Sequence, residues 1–301
     1  MFGIRNMSDN KTREEMLGIL GIKPQKEVCS KIIKTEYIEN YTITKVLLNE
    51  KIPAILVKPI KAIGKMMPLL YCHAAPKDCK VGKDELVDSI GELQQPAYAK
   101  ILTEMNYCVI CIDNLGFGER IERSFENYCK EYIFHGKNIL GKFVSDNLIA
   151  LEYLLSLDDI NKKDMTVMGF SMGSTIAIWL AAIDTRIKYC FEMCGITDSD
   201  LLLKSKAYDT RSMYFFVYGM AERFSTSDIC AMIAPRVHYS FAGIRDPRTP
   251  LEGLDSIDNK LKSVYQALGS PNNWKLHRYN SGHMETKNMR KHVIKYLKRD
   301  N

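Results

Sequence analysis

The sequence predicts an α/β fold in which helices cover both faces of a mostly parallel, eight-stranded sheet. From about residue 41, short runs rich in apolar, aromatic and β-branched residues alternate with segments of helical periodicity. The first runs follow one another directly, so they can pair in the antiparallel direction. The later runs are separated by helices, and such crossovers join parallel strands.

The elements follow in a regular order along the chain. The predicted strands are YTITKVLLN (41–49), PAILVKP (53–59), PLLYCHA (68–74), YCVICID (107–113), MTVMGF (165–170), IKYCFEMCG (187–195), RVHYSFAG (236–243) and WKLHRY (274–279). The predicted helices between and after them span 96–105, 146–157, 175–183, 254–268 and 285–298. Residues 1–40 are expected to form an N-terminal extension with a short amphipathic helix in NKTREEMLGILG, and residues 41–301 to form the α/β domain.

Two longer segments interrupt this order. Residues 115–145 and 196–232 each follow a predicted strand, and both are rich in large aromatic side chains. Open α/β sheets bind ligands at the carboxyl ends of their strands. The two segments are therefore predicted to form the walls of a substrate pocket, with plain packing on the rim of the sheet as the alternative.

Composition limits the classes of function. The chain has 301 residues, 46% of them hydrophobic and 26% charged, as in ordinary globular proteins. The net charge of +6 is scattered, so no nucleic-acid partner is expected. The longest apolar run, 176–183, is too short to span a bilayer, so no membrane association is expected. The oligomeric state stays open, with a homodimer among the alternatives.

The nine cysteines and the N-terminus bear on location. Several cysteines lie in apolar runs, and Cys108 and Cys111 would point to opposite faces of one strand, which disfavours a shared metal or a disulfide. Residues 1–15 contain no apolar signal-peptide core. Reduced thiols in the cytoplasm are the resulting prediction.

Ser171 is the predicted nucleophile. The pattern G-x-S-x-G spans 169–173, directly after a predicted strand and just before a predicted helix. A serine at such a sharp turn has a strained backbone, and glycines on both sides avoid steric clashes. The turn would also aim the N–H groups of a helix N-terminus at the site.

A serine nucleophile needs a base, and an acid to orient that base. His283 lies in YNSGHMET (279–286), a loop directly after the last predicted strand, so it is the predicted base; a structural loop histidine is the alternative. The other histidines considered, His238, His277 and His292, fall inside strands or mid-helix. Asp246, just past the penultimate strand, is the predicted acid, although an Asp-Pro turn former is an alternative. Asp198 and Asp200 are the other acid candidates.

Backbone N–H groups are expected to bind the oxyanion. One belongs to Met172, the residue after the nucleophile, and the other to the loop after the third strand. That loop reads His73-Ala74-Ala75-Pro76. Since Pro76 has no N–H, Ala75 is preferred, with Ala74 as the alternative. His73 is expected either to brace the loop through its ring or to be a buried structural histidine.

The chain resembles the α/β-hydrolases, and within them the dienelactone-hydrolase-like and acetyl-xylan-esterase-like groups. The motifs that carry the resemblance are GKDEL (82–86), DNLGFGER (113–120), GFSMGS (169–174), IAPR (233–236) and SGHMET (281–286). The resemblance covers roughly residues 65–298. It implies hydrolysis of carboxylic esters through an acyl-serine intermediate, with Ser171, Asp246 and His283 as the triad and with no metal or organic cofactor.

The sequence departs from these groups in three places. Dienelactone hydrolases use a cysteine nucleophile, the R-G-Q motif of acetyl xylan esterases is absent, and no H-G-G-G motif supplies the second oxyanion donor.

Phe117, Arg120 and Phe170 are the predicted substrate contacts. Arg120 is expected either to bind a substrate carboxylate or to pair with Glu119, while Arg245 and Arg248 either attract an anionic substrate or are solvated.

The sequence therefore predicts a cytoplasmic serine esterase that acts on a small-molecule ester with a small or medium acyl group. Two alternatives stay open. One is a peptidase of the prolyl-oligopeptidase type, and the other is a hydrolase fold that has lost catalysis and serves as a binding module.

Overall fold

A nine-stranded sheet organises the residues described by the computed structural model, which are 10–23, 25 and 27–299. The strands are β1 Ser30–Ile38, β2 Tyr41–Leu48, β3 Ile52–Pro59, β4 Met67–Cys72, β5 Tyr107–Ile112, β6 Thr166–Phe170, β7 Tyr189–Met193, β8 Val237–Gly243 and β9 Trp274–Tyr279. The α-helices are α1 Asn10–Leu20, α2 Glu85–Asp88, α3 Tyr98–Glu104, α4 Phe125–Phe134, α5 Ile139–Ser156, α6 Met172–Ile183, α7 Ser199–Lys204, α8 Thr226–Ala231, α9 Leu251–Ala267 and α10 Lys287–Lys298.

The sheet is antiparallel at one end and parallel through the rest. The spatial order is β1-β2-β3-β5-β4-β6-β7-β8-β9. The pairs β1–β2, β2–β3 and β3–β5 are antiparallel, whereas every pair from β5–β4 to β8–β9 is parallel. The predicted change from direct antiparallel connections to helical crossovers is therefore confirmed.

The ninth strand, β1, corrects the predicted count of eight. It lies within residues 1–40, where only a helical extension was expected, and it pairs with β2 at the edge of the sheet. Eight of its nine residues are exposed, so no buried face imposes the alternation of apolar and polar residues that identifies a strand. Helix α1 forms as predicted, and residues 1–9 lie outside the described residues.

Helices cover both faces of the sheet, as predicted. On one face, α3 and α10 contribute Tyr98 and Val293 to a buried apolar cluster. On the other face, α1, α5, α6 and α9 contribute to a larger one. Helix α5 begins at Ile139, seven residues before the predicted start at 146, so the end of the first long segment is helical. No helix in the described part of the chain is both long and apolar enough to cross a membrane.

The cysteines follow the strand periodicity. Cys108 packs in the cluster on one face of the sheet and Cys111 in the cluster on the other, as predicted. All nine cysteines are free.

The parallel strands set the position of the site. Because β4, β6, β7, β8 and β9 run in one direction, their carboxyl ends lie at the same edge of the sheet. The loop after β4, the turn after β6 and the loops after β8 and β9 all leave from that edge. These are the connections that hold the residues predicted to act in catalysis.

Candidate active site

Ser171 occupies the sharp turn between β6 and α6. Its backbone has φ 55° and ψ −114°, a conformation that L-residues rarely adopt. A Cβ at Gly169 would lie 2.3 Å from the backbone of Gly173, and one at Gly173 would lie 1.8 Å from the carbonyl oxygen of Cys72. Both contacts are with backbone, so only glycine fits at these positions. The G-x-S-x-G pattern is thus a steric requirement of this turn.

The three predicted catalytic side chains lie in one hydrogen-bonded line. The distance from His283 Nε2 to Ser171 Oγ is 2.8 Å. The distance from His283 Nδ1 to Asp246 Oδ2 is 2.6 Å. In this arrangement a proton on Nδ1 is donated to the carboxylate, which leaves Nε2 free to accept the serine proton.

Asp246 is held in place by its own loop. Its side chain is fully buried, and its second oxygen, Oδ1, accepts a hydrogen bond of 2.9 Å from the N–H of Arg248. The alternative acid Asp198 has a different partner set, because its carboxylate caps α7 by accepting from the N–H groups of Asp200 and Leu201. The structure therefore brings Asp246, and neither of the two alternatives, to the imidazole.

A buried ion pair that the sequence did not reveal positions the loop of His283. Glu285 is fully buried and accepts two hydrogen bonds of 2.7 Å from Arg290 in α10. It also accepts from Tyr98 and from the N–H of Gln94. The loop is therefore anchored to α3 and α10 two residues after the base. The only sequence signal was the SGHMET motif itself, which includes Glu285 but does not indicate its partners.

The loop after β4 is fixed by hydrogen bonds to its backbone. Glu85 accepts from the N–H of Ala74 at 2.9 Å and from the hydroxyl of Tyr71 at 2.8 Å. His73 Nε2 accepts from the N–H of Asn114 at 3.1 Å, so the ring proton lies on Nδ1, which is 2.6 Å from the carbonyl oxygen of Ala74. The predicted bracing of this loop by His73 is confirmed.

Two donors near the turn have no acceptor among the described residues. Since the N–H of Ala74 is bonded to Glu85, the N–H of Ala75 is the next one along this loop that is free. Met172 is the first residue of α6, so its N–H has no acceptor within the helix. Register places this loop beside the nucleophile, because Cys72 of β4 pairs with Gly169 of β6.

The three predicted substrate contacts do not face an open pocket. Phe117 is 1% exposed, with its ring 5.2 Å from that of His73. Arg120 donates to the carboxylate of Asp146 and to the carbonyl of Asp113, so its charge is already neutralised. Phe170 is 1% exposed, and its ring centroid lies 5.2 Å from that of His283. Each of these side chains thus has partners within the protein, and its contact with substrate stays a prediction.

The alternative expectation, that Arg120 pairs with Glu119, is wrong. Glu119 instead lies 2.6 Å from the ammonium group of buried Lys83, which is 2.8 Å from Asp113. Burial alone would lower the pKa of Lys83, but Asp113 and Glu119 raise it overall. The motifs GKDEL and DNLGFGER are thus joined by an ion-pair cluster that ties the loop after β5 to the start of α2.

One group of residues could in principle offer metal ligands. Within the described part of the chain, ligand atoms of Cys194, Asp246 and His283 lie within 4.8 Å of one another. A metal ion there would have to break the hydrogen bond between Asp246 and His283. Burial also raises the pKa of the Cys194 thiol, which disfavours the thiolate that metals bind.

Buried Glu192 is expected to make the free energy of unfolding depend on pH. It lies in β7, opposite Gly169 of β6, and burial raises the pKa of its carboxyl from 4.5 to about 8. Between these values the folded protein keeps a proton that the unfolded chain has released, so the free energy of unfolding falls as pH rises. One such carboxyl contributes a change of about 3 kcal/mol between about pH 5.5 and pH 8.

We therefore expect Glu192→Gln to remove its own share of this pH dependence and to stabilise the protein at alkaline pH, while Glu85, whose pKa burial also raises to about 8, keeps its share. Urea unfolding at a series of pH values measures the effect. Glu252→Gln, at an exposed position, is the matched control and should leave the curve unchanged. The same slope in both variants would contradict the assignment to Glu192.

A curated relative matches almost the whole chain. It is the "Putative hydrolase YtaP" of Bacillus subtilis (strain 168), which is 34% identical over 292 residues, or 95% of this chain and 98% of the relative. The chain belongs to this hydrolase family. No protein-family model matches the sequence of the hydrolase.

Solved structures share the fold of the hydrolase. A glucuronoyl esterase from Solibacter usitatus superposes with a TM-score of 0.71 at 16% identity, covering 96% of the hydrolase and 92% of that chain. An acetyl xylan esterase from Paenibacillus sp. R4 superposes with a TM-score of 0.66 at 13% identity, covering 99% and 95%. The predicted α/β-hydrolase fold is confirmed, with nine strands in place of eight.

Proposed function

We propose that this hydrolase is a serine esterase that cleaves carboxylic esters with small or medium acyl groups. One observation carries the proposal. Ser171, His283 and Asp246 form a continuous hydrogen-bonded line, with the serine on a strained turn at the carboxyl edge of a parallel sheet. This is the geometry that nucleophilic catalysis by serine requires.

The proposed reaction has two halves. In the first, His283 Nε2 takes the proton of Ser171 Oγ as the oxygen attacks the ester carbonyl, and it then delivers that proton to the leaving alkoxide. In the second, His283 takes a proton from water as the water attacks the acyl-serine, and it returns that proton to Ser171 Oγ as the acid product leaves. Asp246 keeps the other ring proton on Nδ1 and stabilises the imidazolium.

The N–H groups of Met172 and Ala75 are the proposed oxyanion donors. Met172 opens α6, so the positive end of the helix dipole adds to its hydrogen bond. Glu85 supports the choice of Ala75, because it occupies the neighbouring N–H and so fixes the loop. Removal of one such donor typically costs a factor of about 100 to 1,000 in kcat.

Other assignments complete the proposal. Residues 41–301 form the catalytic domain, residues 1–40 form its extension, and the segments 115–145 and 196–232 provide the pocket walls. Ring contact between Phe143 and Tyr214, at 6.4 Å, supports joint packing of these two segments.

The nine free cysteines support a cytoplasmic location. The partner is a small-molecule ester, without nucleic acid or membrane, and a homodimer stays among the alternatives.

A panel of p-nitrophenyl esters of increasing acyl length tests the proposed function. We expect turnover of the short and medium esters, and labelling of Ser171 by a fluorophosphonate probe. Hydrolysis of an aminoacyl-nitroanilide at a comparable rate would favour the peptidase alternative. A folded protein that reacts with no ester and no probe would favour a binding module.

A further inference from the structure

Arg211 is a buried cation without a counter-ion. It lies between α7 and α8 in the second pocket-wall segment and is 9% exposed. No carboxylate of the described residues lies within salt-bridge distance of it, and its buried Nε–H has no acceptor. Its guanidinium lies over the ring of Phe215, 4.7 Å from the ring centroid. Burial lowers the pKa of Arg211 below its usual value.

The other buried cations are neutralised by carboxylates. Lys83 contacts Asp113, and Arg290 contacts Glu285. A buried charge without such a partner costs several kcal/mol. Contact with an aromatic face offsets only about 1–2 kcal/mol of this. An anionic ligand is the counter-ion that would complete the environment of Arg211.

Arg211 is bonded directly to the loop of the proposed catalytic acid. Its Nη2 donates to the carbonyl of Arg248, while Arg248 Nε donates at 3.2 Å to the carbonyl of Thr210. The N–H of Arg248 in turn donates to Asp246. These bonds tie Arg211 to Arg248, whose charge adds to the effect of burial in lowering the pKa of Arg211. Arg248 also has no carboxylate partner among the described residues.

The carboxylate of Asp246, which accepts from the backbone of Arg248, already has two hydrogen-bond donors. Asp246 accepts from His283 and from the backbone N–H of Arg248, and among the described residues no hydrogen bond joins its carboxylate to either guanidinium. Like charges held together repel each other, and a shared anion would remove that repulsion. The pair therefore has the charge and the donors of an anion subsite.

A small cavity lies between the second pocket-wall segment and helix α6. The cavity has a volume of about 30 Å³ and is lined by Phe215, Thr175 and Gly195, among others. Thr175 lies one helical turn after Ser171, and its N–H donates to the Ser171 carbonyl. A Cβ at Gly195 would lie 3.0 Å from the same carbonyl oxygen. The Phe215 ring under the Arg211 guanidinium thus lines a cavity that also reaches Thr175 and Gly195, two residues next to the Ser171 backbone.

We propose that Arg211, assisted by Arg248, binds a free carboxylate of the substrate, so that the preferred substrate is an ester that carries a second, unesterified carboxyl group. The planar fork of a guanidinium matches a carboxylate through two parallel hydrogen bonds. This inference rests on the proposed esterase function and adds a substrate class to it.

Two esters of equal chain length test the proposal. They are p-nitrophenyl valerate, which is neutral, and mono-p-nitrophenyl glutarate, which carries the carboxylate. The wild type should prefer the glutarate in kcat/KM, and Arg211→Gln should reduce the glutarate-to-valerate ratio at least tenfold, mainly through KM. Arg223→Gln is the matched control, since Arg223 is exposed and lies in the same chain segment as Arg211. Equal losses on both esters would indicate a purely structural role and overturn the proposal.

Binding without turnover separates the subsite from catalysis. In a Ser171→Ala background, free glutarate should raise Tm in a saturable way at constant ionic strength, and Arg211→Gln should abolish the rise. Arg211→Lys, which keeps the charge, should retain part of it if the glutamine variant proves too unstable to measure. If the wild type cleaves no ester but glutarate still protects it through Arg211, the esterase proposal fails and the subsite stands. No protection by glutarate, or equal protection by sodium chloride or by inorganic phosphate, would overturn the carboxylate subsite.

Discussion

Replacement of Ser171 with alanine is expected to lower kcat/KM for p-nitrophenyl esters by at least about 10,000-fold. The hydroxyl is the only group at the turn that can form the acyl intermediate, and its Oγ lies 2.8 Å from the base. The residual rate would come from oxyanion stabilisation and binding alone. Initial rates at saturating and subsaturating ester, together with loss of fluorophosphonate labelling, measure the effect.

The strained backbone of Ser171 supplies an internal control. Because φ is 55°, Ser171→Gly should be as inactive as the alanine variant yet at least as stable as the wild type by thermal unfolding. Ser270→Ala, in the loop after α9, should keep full activity. Retained labelling in the alanine variant, or activity within tenfold of wild type, would show that another residue is the nucleophile.

The second large effect is expected for Asp246→Asn, which should lower kcat by about 10,000-fold near neutral pH. An amide that donates to Nδ1 would hold the imidazole in the wrong tautomer, with the proton on Nε2 facing the serine. The hydrogen bond from Arg248 to Oδ1 can persist in the variant, so the loop should keep its shape. A pH–rate profile with a matched circular dichroism spectrum distinguishes this effect from unfolding.

Asp198→Asn is the matched control for the acid. Asp198 was the alternative candidate, but its carboxylate caps α7, and asparagine is an equally good cap. Its activity should therefore stay close to that of the wild type. A larger loss from Asp198→Asn than from Asp246→Asn would reverse the assignment.

The residues proposed to perform chemistry were the most predictable part of this protein. Ser171, Asp246 and His283 each follow a strand of strong β pattern, and parallel strands bring their following loops to a common edge. Local signals were therefore sufficient to place all three near one another. The glycines around Ser171 were predictable for the same reason, since a sharp turn restricts which residues fit.

The residues that support the site were not predictable in this way. Arg120, Phe117 and Phe170 looked like substrate contacts because they lie next to important positions in sequence. In the structure each has a partner from a distant part of the chain, such as Asp146 for Arg120 or His283 for Phe170. Whether a side chain faces a pocket or a core depends on those long-range contacts, which leave no local pattern.

The exposed edge strand β1 and the buried cation Arg211 show the two limits of sequence reasoning. β1 was missed because its exposed residues carry no alternation of apolar and polar side chains. Arg211 was missed because nothing in its local sequence indicates burial or the lack of a partner. Both properties depend on what packs around a residue, and only folding decides that.

By itself, the sequence determined the α/β class, the order of the strands along the chain and the three catalytic candidates, because periodicity and turn chemistry act over a few residues. The tertiary structure decided the ninth strand, the bonding of His283 to Asp246 and not to Asp198, and the ion pairs that hold the loops. It also decided which charges stay without a partner. These features arise from contacts between residues far apart in sequence, where burial removes water and makes each hydrogen bond and each charge depend on its neighbours.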